Sequence, residues 1–311
     1  MVNPDIMYMF FKYAGEHQLR FVSPFAKFLV ENIDVHISIF CDSNPKHLSS
    51  VNLDKISTYA SARRELTDIF FKRVAEKSLR WVVLPYPANP QAQEASMSLE
   101  EYEDFIYHSC FVDKEDPIYE WKRVDEEQRR ICNYLDNVSI IRFVGENTDL
   151  VLNVRNRKWI NCSGKDNMPD GEVFTCPIED SANGTIRFTY PGIYMGQEVG
   201  DVLLEFNGGK VVKARAAEGE ELLQRLLSLE GADRIGEIAI GTNYGIKRFT
   251  KNMLFDEKMG GAIHLALGAS YPESGGINRS SIHWDILKDM TKCGEIYADN
   301  VLFYKNGRFL I

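Results

Sequence analysis

The chain contains no apolar run of eighteen residues or more, so no segment of it reads as a transmembrane helix. It also lacks a charged start followed by a short apolar stretch, and no secretory signal is therefore read at its beginning. Blocks of lysine or arginine are missing too: 36 basic residues stand against 45 acidic ones, for a formal charge of −9. That balance argues against a nucleic acid or an anionic membrane as partner and favours small or cationic ligands. Cysteine is sparse and dispersed, at Cys41, Cys110, Cys132, Cys162, Cys176 and Cys293, with no CxxC pair. This is the pattern of reduced, mostly buried thiols in a cytoplasmic protein. No repeat or low-complexity tract is present.

What is present suggests two domains. A length of 311 residues, 44% of them hydrophobic, is enough for two cores. In the first part strands and helices alternate. PDIMYMF reads as a strand, SPFAKFLVENI as a helix and VHISIFCD as a strand. LDKISTYASARRELTDIFFKRVAEKS then reads as one long amphipathic helix, followed by the strand LRWVVLPYP. Such alternation implies a parallel sheet. From residue 90 to 138 the pattern is helical, and Ser98 with Glu101 forms a plausible capping box.

Near Val138 the character changes to short β runs, with turns at Pro169-Asp170-Gly171 and Asn207-Gly208-Gly209. A helix, GEELLQRLLSL, interrupts them, and a closing hairpin is signalled by Asn306-Gly307. The expected fold class is thus α/β plus α+β: a parallel α/β domain with a helical extension over 1–137 and a β-rich domain over 138–311.

Within that second part, the stretch from Glu237 to Asp285 gathers Glu237, Glu257, Tyr271, Asp285 and two of the six histidines. His283 and Asp285 alternate with Ile282, Trp284 and Ile286, so in a strand the polar pair shares one face. Glu257 and His264 are read on a short helix opening at Asp256 and closing near Gly268, where a separation of seven places both on one side. Gly260 and Gly261 on the intervening turn imply a close neighbour. Glu237 opens the apolar strand RIGEIAIG, where an unpaired charge would be costly. Glu172, entering a strand after the Pro-Asp-Gly turn, is a further candidate. Taken singly, each of these residues has an ordinary structural explanation; their joint spacing is that of a metal site. His17, His36, His47 and His108 are read as structural.

The motifs NMPDGEVFT, RIGEIAI, LFDEK, IHLALG with Tyr271 seven residues beyond its histidine, and the final HWD resemble, in order, those of the thermophilic-type metallo-aminopeptidases, the family of aminopeptidases T and S. The resemblance covers roughly residues 80 to 311. It implies an α/β N-terminal domain, a β-rich metal-binding domain, dimers, and release of N-terminal residues from peptides with a free N-terminus. It further implies that Glu172, Glu237, Glu257, His264, His283 and Asp285 surround two divalent metal ions, with Tyr271 beside them. Against the usual members this chain is expected to be shorter at its N-terminus, and its Tyr271–His283 segment is short.

The chemistry of that donor set fits zinc, cobalt or manganese better than calcium. Glu237 is expected to bridge the ions, Glu257 either to ligate one or to take the proton from water, and Tyr271 to donate to the developing oxyanion. A metal-dependent hydrolase of small amides or dipeptides, and a non-catalytic homologue, are the competing readings.

Overall fold

The computed structural model describes residues 4–41 and 43–311; Asp42, the last residue of the VHISIFCD run, lies outside them. The first element corrects an expectation. Pro4–Tyr13 is a helix, not a strand. Its Met7, Phe10 and Phe11 recur at helical spacing and pack with Leu19, Val51 and Ile56. Phe10 and Phe11 meet the Tyr59 ring edge-on at 5.7 and 5.2 Å.

The strands Val35–Phe40 and Arg80–Pro85 do pair in parallel, from Val35 opposite Arg80 to Phe40 opposite Pro85. Between them, the expected single long helix is two, Leu53–Ala62 and Arg64–Ala75. Arg63 interrupts it with φ −97° and ψ 2°. Its guanidinium donates to the carbonyls of Leu19, Tyr59 and Phe21 and lies over the Tyr59 ring. Tertiary bonds thus override helix propensity at this point.

The helices Asn89–Glu94, Leu99–Ser109 and Pro117–Leu135 follow. Ser98 and Glu101 form the expected reciprocal cap. The apolar faces of these helices turn toward the β-rich part. Ala92, Tyr102 and Ile106 pack with Ile246, Phe255, Met259 and Leu287, while Ile131, Cys132 and Leu135 join the main core.

Two antiparallel sheets enclose that core. The eight-stranded sheet runs, edge to edge, through Lys210–Arg215, Leu203–Asn207, Asn183–Arg187, Thr148–Asn153, Ile140–Gly145, Glu295–Ala298, Val301–Lys305 and Arg308–Phe309. The five-stranded sheet is ordered His283–Asp289, Ala262–Gly268, Ile235–Gly241, Glu172–Thr175 and Ile160–Cys162. Ile141, Phe143, Leu150, Leu152 and Leu204 of the first sheet meet Ile238, Ile240, Ile263, Leu265, Trp284 and Ile286 of the second in one buried cluster. Burying a side chain of this size is worth about 1.5–3 kcal/mol, so this contact contributes substantially to the stability of the β-rich part.

The segment expected as a helix from Asp256 to Gly268 is instead a four-residue helix, Met253–Asp256, a glycine turn, and the strand Ala262–Gly268. The strand is buried along its whole length. Its alternation is of large apolar residues, Ile263, Leu265 and Leu267, with small ones and His264, so hydrophobicity alone reads as an almost unbroken run that is hard to tell from a helix. The glycines do sit against neighbours, as expected. Gly261 has φ +98°, and a Cβ on Gly260 would lie 2.5 Å from Cδ1 and 2.8 Å from the backbone nitrogen of Tyr244.

Because the Tyr244 backbone cannot step aside as a flexible side chain would, Gly260→Ala is expected to destabilise the protein by about 1–3 kcal/mol, the usual cost of overpacking. Urea unfolding measures this; a midpoint equal to the parent's would contradict it.

Candidate metal centre

The five-stranded sheet has two chemically opposite faces. One is the apolar core surface just described. On the other, register aligns Glu237 with Ala266 and Ala266 with Asp285 across three strands. His264 lies opposite Ala239, His283 opposite Gly268, and Glu172 opposite Gly241. Residues two apart share a face, so Glu172, Glu237, His264, His283 and Asp285 all project from this side. The residues between them are alanine and glycine, which leave room for the long side chains to converge.

They do converge. His264 Nε2 lies 3.4 Å from Glu237 Oε1, 3.6 Å from Glu172 Oε2 and 3.8 Å from Asp285 Oδ1. His283 Nε2 lies 3.2 Å from Glu237 Oε2 and 3.4 Å from Asp285 Oδ1. Glu237 thus offers one oxygen to each imidazole. Donor atoms of Glu172, Glu237 and His264 fall within 4.8 Å of one another, as do those of Glu237, His283 and Asp285, and those of Glu257, His264 and Asp285.

Glu257 reaches this cluster by a different route from the helical face inferred for it. It caps the short helix, and its backbone carbonyl accepts the Nδ1–H of His264 at 3.0 Å. The Nδ1–H of His283 is likewise accepted by the Ala269 carbonyl at 2.8 Å. These bonds fix both rings with Nε2 turned to the carboxylates. Tyr271 stands at the edge of the group, its ring 5.1 Å from that of His283 and 5.3 Å from that of Phe174. The cluster is open on the side of His283 and Glu257, whose side chains are 24% and 19% exposed, while His264 is buried at 2%.

Such a face needs positive charge. Glu172 Oε2 and Asp285 Oδ1 are buried without a hydrogen-bond partner, a costly state for a carboxylate oxygen. Neutral imidazoles would turn their Nε2 lone pairs toward oxygen lone pairs. The protonation equilibria register this strain. Burial alone would lower the pKa of His264, yet the bond to Glu237 and the charges of Glu172 and Asp285 raise it to about 10. His283 is raised well above its ordinary value against the same burial, with Asp285 and Glu237 favouring its charged form. Burial pushes Glu172 well up. Burial would raise Asp285, yet the charge and hydrogen bond of His283 together with the charges of His264 and Lys258 draw it down to about 2. Without another cation, protons fill the role. Mixed carboxylate and imidazole donors with orphaned oxygens fit a divalent metal.

Three nearby groups escaped the sequence reading. Lys258 is fully buried and pairs with Glu257, and its Nζ lies 3.7 Å from Glu172 Oε1. Asp170 is buried, and donor atoms of Cys162, Asp170 and Glu172 lie within 4.8 Å of one another. Nothing local in the LFDEK motif marks Lys258 as buried, and Asp170 sits in a turn whose aspartate is unremarkable in sequence.

A sequence model described as thermophilic metalloprotease (M29) matches residues 1–309. Aminopeptidase 2 of Geobacillus stearothermophilus is 30% identical over 282 residues, spanning 79% of this chain and 66% of that protein, just short of two thirds of its length. Aminopeptidase AmpS of Bacillus subtilis is 26% identical over 325 residues, 90% of this chain and 78% of the relative. Among solved structures, wild-type AmpT from Thermus thermophilus superposes with a TM-score of 0.83 at 22% identity, covering 100% of this chain and 86% of that one. That match supports the two-part α/β and β-rich architecture.

In metal-stripped protein, the raised pKa of His264 gives stability that is complete below about 6.5 and lost as pH rises through about 10. Glu172, also raised, acts in the same direction. The melting temperature of the stripped protein is therefore expected to fall across this range while that of metal-loaded protein holds. Parallel pH profiles with and without chelator would contradict this.

Proposed function

Because the chain belongs to the thermophilic metalloprotease (M29) family, we propose that it is a metal-dependent aminopeptidase that removes the N-terminal residue from peptides using two divalent ions. The observation that carries this is the shared carboxylate: Glu237 faces both imidazoles, one oxygen to each. Glu172, Glu237 and His264 would hold one ion, and Glu237, His283 and Asp285 the other, with Glu257 bordering the first. Zinc, cobalt and manganese suit these donors. When bound, such ions polarise the scissile carbonyl and lower the pKa of a water toward neutrality.

The remaining work belongs to the protein's side chains. Glu237, rooted in a central strand, would be the carboxylate that holds both ions. Glu257, half-buried at the opening, takes the proton of the attacking water and passes it to the leaving amine. Burial and the charges of Glu237 and Asp285 raise the pKa of the Tyr271 hydroxyl against the opposing effect of His283. It therefore stays protonated and donates to the oxyanion as negative charge develops. The acidic cluster favours a substrate that brings its own cation, the free α-amine of a peptide.

The division at residue 138 belongs to the same proposal, with the helices before it forming a wall over the site's sheet. A homodimer is supported by exposed apolar side chains near the N-terminus, including Phe25, Phe28, Ile37 and Ile39. A cytoplasmic setting is supported by the six unpaired cysteines. No described helix is long and apolar enough to cross a membrane.

Protein loaded with cobalt, zinc or manganese is expected to hydrolyse aminoacyl anilides and short peptides, and to leave N-acetylated peptides intact. Turnover confined to phosphoesters, or equal turnover of blocked peptides, would refute the aminopeptidase reading. Tyr271→Phe is expected to lower kcat by roughly 10²–10³-fold, the usual loss of an oxyanion donor. A change in KM alone would remove that role.

A further inference from the structure

Lys258 is the buried charge that the reaction scheme leaves unused. Lysine is almost never fully buried unless paired, and here it has no exposed surface at all. Its ammonium bonds Glu257 Oε1 and lies 3.7 Å from Glu172 Oε1. The other oxygen of Glu172, Oε2, is the one turned to His264, at 3.6 Å. Lys258 therefore engages one oxygen of Glu172 and leaves the second directed into the cluster.

The same ammonium answers a second need. Cys162, Asp170 and Glu172 bring donor atoms within 4.8 Å of one another on this side of the site, and Asp170 Oδ1 is buried without a hydrogen-bond partner. The charge of Lys258 favours the ionised forms of Asp170 and Glu172. A further metal ion there would be repelled by it. The cation that balances this corner is built into the chain.

Resting on the metallo-aminopeptidase reading, we infer that Lys258 is a positioning residue: a fixed internal cation that holds Glu257 and Glu172 each by one oxygen, so that only the other is presented to the metal and substrate. Glycine follows closely in the chain, and Gly260 is clamped against Tyr244, which fixes the backbone from which Lys258 reaches inward. Without the ammonium, both carboxylates are free to turn, and the water-side oxygen of Glu257 loses its aim.

The test uses full-length protein loaded with cobalt, comparing the parent with Lys258→Met and Lys258→Arg. Removing one partner of a buried ion pair can prevent folding; the arginine variant keeps the charge but cannot place it at the same point. Both variants that fold are expected to retain the parent's cobalt content, to show shifted visible absorption bands, and to lose kcat by roughly 10–100-fold with KM changed less than about threefold. If Lys258→Arg keeps the parent's spectrum and kcat, the inference fails, because charge alone then suffices. Loss of cobalt from the variants also overturns it, since Lys258 would then be needed for metal retention. The spectrum is read independently of turnover. An inactive parent whose bands still shift in the variants would refute the peptidase reading and leave the positioning role standing.

Discussion

Four carboxylates converge on one sheet face where water is largely excluded, and this charge must be neutralised wherever it sits. Each isolated ionised group would cost several kcal/mol to bury, far more than a marginally stable fold tolerates. The structure meets the demand with two imidazoles, one buried lysine and, in this metalloprotease family, divalent metal. Much of the surrounding architecture serves that balance. The apolar face of the same sheet anchors five strands in the main core, and alanine and glycine line the charged face. Backbone carbonyls of Glu257 and Ala269 orient the two rings.

The rigidity of this arrangement follows from where the ligands originate. Glu237, His264 and Asp285 come from three adjacent strands, locked by register. Glu257, Lys258 and Tyr271 come from the turns and helix between them. The first group is held at constant spacing by the ladder of the sheet. Of the second, Glu257 borders the opening and Lys258 is fully buried behind it. Cys176 links the two, because its buried sulfur accepts the backbone N–H of Tyr271 at 3.2 Å and the Ser274 hydroxyl at 2.8 Å. Strand and loop are thereby tied at the point where the tyrosine enters.

The HWD pair was legible in sequence because strand alternation is a strong local signal, and the structure places His283 and Asp285 on one face as that signal implied. The relation of Glu257 to His264 was misread. In a strand buried on both sides the alternation is of large with small residues rather than apolar with polar, and a spacing of seven imitates two helical turns. The residues still meet, through a carbonyl bond that no periodicity encodes. Pro4–Tyr13 failed for a similar reason, a short apolar run being ambiguous until its partner Tyr59 is known. Arg63 broke a helix through contacts with residues far away in the chain. Lys258 was invisible for a different reason: nothing local tells a buried lysine from a solvated one, and only the carboxylates brought in from another strand explain it.

The central claim is that Glu237 holds two ions close enough to share it. The most direct measurement is electron paramagnetic resonance of protein stripped of metal and reloaded with manganese, with manganese content determined on the same sample. The account predicts two ions per chain and the broadened, many-line signal of a spin-coupled pair, lost in Glu237→Ala. A single ion per chain, or two giving only the six-line signal of isolated manganese, would contradict it.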